Sequence, residues 1–134
     1  MLKLLIALAL VLPVHENTDS LKQKAVQENK NIIIYFSGSD WCTICHQFKS
    51  RVINEPKVNE LLKDRFVYYV ADFPQRKKLA TDIVKMNEYL ASRLNEEGSF
   101  PRFVITDENF VLKAVVPNDA DAATAYEILE KNIK

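Results

Sequence analysis

Apolar positions along this chain change their period several times, and each change marks an element. Asn31 opens Ile32-Ile33-Ile34-Tyr35-Phe36, a continuously apolar, β-branched run. Such a run predicts a strand covered on both faces, as in a parallel sheet. Residues 20–29 before it read as a polar helix. Thr18, Asp19 or Ser20 is its expected N-cap, and Leu21, Ala25 and Val26 its buried stripe. Ser37-Gly38-Ser39-Asp40 breaks the strand, and a helix is predicted from about 42 to 53 with Cys45, Phe48 and Val52 on one stripe. Pro56 suits the first position of a short next helix with Val58, Leu61 and Leu62 apolar. Phe66-Val67-Tyr68-Tyr69-Val70-Ala71 reads as a second strand. Leu79, Ile83, Met86, Leu90 and Leu94 repeat at spacings of 4, 3, 4 and 4, which predicts the longest helix over about 76–95. Gly98 follows it in a position suited to a left-handed cap or loop. Residues 102–106 and 110–116 form a predicted hairpin around Asp107-Glu108-Asn109. A last helix over about 119–133 is expected to bury Ala122, Tyr126, Leu129 and Ile133.

The predicted order is helix, strand, helix, strand, helix, strand, strand, helix. The first two strands then need a right-handed crossover, and the last pair is antiparallel. This describes an α/β domain, and no internal repeat or long linker divides it. Residues 1–16 are expected to stand apart as a secretory signal peptide. Lys3 supplies a basic start, and the apolar run 4–12 is shorter than the ~20 residues of a spanning helix. The domain is therefore expected over 17–134, in an exported, periplasmic or otherwise extracytoplasmic protein. Lys+Arg and Asp+Glu both number 18 in 134 residues, and no basic tract favours nucleic acid. Arg76-Lys77-Lys78 reads as a solvated helix start.

The candidate chemistry lies in Trp41-Cys42-Thr43-Ile44-Cys45, which holds both cysteines of the chain. They fall just after the buried strand, at the start of a helix, where partial positive charge and unpaired N–H groups favour thiolate over thiol. Cys45, one turn along on the core stripe, can close a disulfide with Cys42. Four readings compete: a redox dithiol, half of a zinc site, c-type haem attachment and an inert pair. Zinc lacks ligands beyond His15 and His46. Haem is raised by His46, which completes C-x-x-C-H. Met86, the one methionine after the signal segment, already fits a helix core. The strand–motif–helix context favours the redox dithiol, without metal or cofactor.

The segment from Phe36 to Cys45 resembles the active-site segment of the thioredoxin superfamily, in the form of exported bacterial proteins with a WCxxC site. Gly98-Ser99-Phe100-Pro101 resembles the loop carrying that family's cis-proline. The resemblance implies a thioredoxin fold, a central mixed sheet of about four strands flanked by helices. It implies a protein thiol–disulfide oxidoreductase, with reductase favoured over oxidase. Cys42 is then the exposed nucleophile and Cys45 the resolving thiol, while Trp41, Phe100 and Pro101 line the substrate groove. Expected partners are protein disulfides or dithiols and a membrane-bound thiol donor, and the protein is expected to be a monomer. The rival class is a thioredoxin-like binding module whose cysteines seldom turn over. Three positions depart from the family pattern. Tyr35 stands where thioredoxins carry a buried Asp, so Asp40, His46 or water must move the proton of Cys45. Thr43-Ile44 is not a familiar dipeptide. Arg102 replaces the usual Thr, either to read acidic substrates or to cap the rim.

Overall fold

The computed structural model describes residues 17–134; the expected signal peptide and His15 lie outside them. In chain order the elements are α1 (Thr18–Glu28), β1 (Asn31–Ser37), α2 (Thr43–Phe48), α3 (Pro56–Arg65), β2 (Phe66–Asp72), α4 (Thr81–Leu94), β3 (Arg102–Thr106), β4 (Leu112–Val116) and α5 (Ala122–Lys131). One turn of π-helix, Lys49–Ile53, continues α2.

The four strands form one mixed sheet in the order β2-β1-β3-β4. β1 runs parallel to β2, with Ile34 opposite Tyr69, and antiparallel to β3, with Ile34 opposite Val104. β1 is therefore central, and every one of its residues is buried. Its alternation divides the core. Ile33 and Tyr35 point to one layer with Phe48, Val52, Val58, Leu62 and Leu129. Ile32, Ile34 and Phe36 point to the other with Leu21, Ala25, Met86, Leu90 and Leu94. An unbroken apolar strand is what a two-sided sheet requires.

Element ends differ from expectation where side chains capture backbone groups. Asn17, one residue before the expected caps, accepts the Ser20 N–H and starts α1 early; Val26 faces solvent at 63% exposure. The largest difference is α4. Residues 76–80, predicted helical, are irregular, because the Asp40 carboxylate accepts the N–H groups of Gln75, Arg76 and Lys77 at 2.9, 2.8 and 3.1 Å. The basic run thus lies on an exposed loop, not a helix start. β4 begins late because Asp107 accepts the N–H groups of Asn109 and Val111, and Phe110 between them takes φ 59°. α5 starts behind the Asp121 cap and fully buries Ala125 and Leu129; Ala122, Tyr126 and Ile133 are only half-buried.

Candidate active site

β1 ends by delivering Ser37-Gly38-Ser39-Asp40-Trp41 to the carboxyl edge of the sheet, and α2 begins directly after it. Cys42 is the N-cap of α2. Its Sγ accepts the backbone N–H of Cys45 at 3.2 Å. The two cysteines form a disulfide, with Cα atoms 5.2 Å apart. Cys45 lies on the core stripe with Phe48 and is 1% exposed. Cys42, expected to be the exposed sulfur, is only 6% exposed in this closed form. The difference has a simple cause: in the disulfide each sulfur shields the other, and Cys42 points inward to cap its own helix.

Three aromatic rings from three loops pack together at the turn that carries Cys42. Trp41 is 38% exposed, and its Nε1–H donates to the Phe73 carbonyl at 2.7 Å. Phe100 packs edge-on against Trp41 and against Phe73, with centroids 5.5 and 5.4 Å apart. The Phe100–Pro101 peptide bond is cis, and β3 starts at the next residue. Gly38 makes room for the indole. A Cβ there would overlap the Trp41 ring. Gly98 takes φ 66° in the loop before Phe100, where a side chain is strained. Arg102 donates from Nε to the Leu94 carbonyl at 2.6 Å, so it caps the rim rather than pointing at a substrate.

The proton-transfer candidates are differently placed. Asp40 does not serve Cys45. Its carboxylate is taken up by the 75–77 loop, whose N–H groups, Gln75 first, hold it below the usual carboxylate range. A carboxylate with that environment is a weaker proton acceptor than a free one. His46 sits with Nε2 2.7 Å from the Ser39 carbonyl oxygen. That partner can only accept, so Nε2 carries the hydrogen and Nδ1 is the basic atom. Tyr35 donates its hydroxyl to the Cys45 carbonyl at 3.0 Å, and burial pushes its phenol up. Burial, reinforced by Tyr35, raises Tyr68 further. These phenols stay neutral. An open cavity of about 450 Å³ reaches Cys45 between Tyr35, Tyr68, His46 and Lys49, wide enough for water.

Two residues at this site are absent from the sequence reading. Asp72, at the end of β2, accepts the Ser39 N–H at 2.9 Å and the Ser39 hydroxyl at 2.6 Å, and pairs with Lys77 at 3.2 Å. Burial opposes its ionisation, but those partners outweigh it and hold the carboxyl below its usual range. Phe73, next in sequence, donates its N–H to the Ser37 carbonyl at 2.8 Å. No spacing rule marks a residue that joins a site from the neighbouring strand's end. The Ala71-Asp72-Phe73-Pro74 break after an apolar strand was the one available signal.

A family model described as thioredoxin-like matches residues 14–108. A curated relative, the disulfide bond reductase DsbH of Chlamydia pneumoniae, is 26% identical over 81 residues, 60% of this chain and 48% of the relative. The chain therefore spans about half the length of that relative. Among solved structures, a DsbH oxidoreductase superposes with a TM-score of 0.77 at 19% identity, over 87% of this chain and 81% of the other. The C-terminal domain of Neisseria meningitidis DsbD, in its oxidised form, gives 0.58 at 17% identity, over 85% and 90%. A thioredoxin from Thermus thermophilus gives 0.59 at 18% identity, over 86% and 82%. At such identities the structural likeness speaks to the fold.

Proposed function

We propose that this chain, which belongs to the thioredoxin-like family, is a thiol–disulfide oxidoreductase that reduces protein disulfides outside the cytoplasm. The observation that carries this reading is the disulfide at the mouth of α2, with Cys42 as N-cap and Cys45 tucked behind it. The reductase direction is supported by the name of the curated relative, a disulfide bond reductase.

In the reduced protein, the Cys42 thiolate attacks one sulfur of a substrate disulfide. That bond breaks, and the leaving sulfur takes a proton from solvent. Cys45, as thiolate, then attacks the Cys42 sulfur and releases the second substrate sulfur. Two electrons pass to the substrate, and the Cys42–Cys45 disulfide closes. Helix N–H groups stabilise the Cys42 thiolate. The proton of Cys45 leaves through the cavity lined by Tyr35 and His46, with water as the immediate acceptor. Trp41, Phe100 and Pro101 form the wall against which the substrate lies. A dithiol donor, membrane-bound and facing the same compartment, returns the electrons.

The test is insulin reduction with dithiothreitol as electron source. Wild type is expected to accelerate precipitation of the insulin B chain, and Cys42→Ser to abolish the acceleration. Equal rates for the two proteins would remove the enzymatic reading and leave a binding module.

A further inference from the structure

The two carboxylates beside the disulfide face opposite ways across one seam. Asp40 leaves the active-site turn and takes three N–H groups of the 75–77 loop. Asp72 leaves β2 and takes the N–H and hydroxyl of Ser39. The Phe73 N–H and carbonyl add bonds to Ser37 and Trp41 across the same seam. Seven hydrogen bonds thus join two segments more than thirty residues apart, and Phe73 lies in sequence between Asp72 and the stretch that Asp40 holds. Bonds made by N–H groups to carboxylates are the stronger kind. So many constraints on one short stretch fix the position of the ring it carries.

The Phe73 ring rests on the buried Phe36, with centroids 6.4 Å apart, and has two outer surroundings. On one side it meets Phe100 of the proline loop, which in turn meets Trp41 beside Cys42. On the other it opens a groove of about 370 Å³ with Pro74, Leu79 and Val84 on its apolar side and two lysines, Asp72, Asn87 and Glu88 on the rest. Phe73 is only partly buried, and Val84 is 37% exposed. The groove is therefore a partly apolar continuation of the ring cluster of Trp41, Phe100 and Phe73, and Phe73 joins the two.

We infer that Phe73 is a specificity-determining residue, and that the groove behind it receives an aromatic side chain next to the reacting cysteine of an extended peptide substrate. The inference rests on the redox reading above and names its substrate class. An aromatic ring matches the edge-on geometry already present between Phe73 and Phe100. It would lie against the apolar side of the groove and leaves the charged side chains of the rim, of both signs, to solvent. Asp40 and Asp72 are positioning residues that act through the loop holding Phe73.

The experiment compares two synthetic peptides of one length, each joined by a disulfide to a small thiol. One carries Phe next to its cysteine and the other Ala. Exchange with the reduced full-length protein is followed by stopped flow. Each variant's rates are divided by its own rate with 5,5′-dithiobis(2-nitrobenzoate), which removes general effects on the dithiol. Wild type is expected to prefer the Phe peptide by about 2- to 12-fold, the range for one aromatic pair. Phe73→Leu keeps apolar bulk and is expected to bring the preference towards unity. Val84→Asp, on an exposed helix face, is expected to lower it as well. A wild-type preference near unity, or one that both variants retain, overturns the inference. Absence of exchange with any disulfide overturns the redox reading and the inference with it.

Discussion

Gly38→Ala tests how the active-site turn is built. The added methyl would overlap the Trp41 indole, so the ring must leave its place. Leaving breaks the bond from Nε1 to the Phe73 carbonyl and the edge contact with Phe100. The first contributes about 0.5–1.5 kcal/mol and the second a similar amount, which sums to about 1–3 kcal/mol. The substitution also stiffens the unfolded chain, an offset of about 0.4–1 kcal/mol. Packing wins in all but the extreme case, and the net loss is about 0–2.6 kcal/mol, or a fall of up to about 10 °C in Tm for a domain of this size. Trp41 is the only tryptophan in the chain, so its fluorescence reports the site alone. The expected result is a lower Tm with red-shifted emission in both redox states, as the indole turns into water. An alanine variant with the wild-type emission maximum and an unchanged or raised Tm would falsify the close-approach account of Gly38.

Asp72→Asn addresses the other carboxylate of the seam. Its folded value is depressed, so its stabilisation is fully present above the unfolded value of about 3.9 and lost as pH falls through the lower folded value. The gap in Tm between wild type and Asp72→Asn should be wide at pH 6 and close progressively below about pH 4; a gap that does not change with pH would contradict the assignment. Tyr35→Phe removes the hydroxyl that donates to the Cys45 carbonyl, an oxygen that the Lys49 N–H also serves. A loss of about 0.5–1.5 kcal/mol in urea denaturation is expected, because the carbonyl keeps one partner. The pH profile of the resolving step should keep its shape, since a neutral phenol is not its proton acceptor. Loss of one limb of that profile would assign the proton to Tyr35 instead of water.

The layers of this fold were legible because burial imposes a period. β1 is apolar without a break and lies between two helical layers, as a two-sided strand must. Cys45, Phe48 and Val52 fell on one face and are all buried. The dithiol was equally plain, since its chemistry depends on residues close in sequence. What the pattern did not carry was the start of α4. Leu79 extends the apolar repeat by one step, so the helix seemed to begin near residue 76. That stretch is held irregular by a carboxylate about thirty-five positions earlier, a partner no local period can register.

The same bonds bear on Asp40 as one of the three expected proton carriers. Beside a reactive cysteine, an acid looks catalytic; here its lone pairs are already occupied by backbone donors. The distinction is physical. A general base must have a free lone pair and a pKa near the working pH. Three N–H donors remove the first and depress the second. In the proposed mechanism the proton of the resolving thiol therefore goes to water in the cavity that reaches Cys45, which His46 also lines. The departure from the family pattern at Tyr35 and the capture of Asp40 thus belong together. One places a phenol on the Cys45 carbonyl where the resemblance puts a buried acid, and the other makes Asp40 a fastener for the loop that follows Phe73.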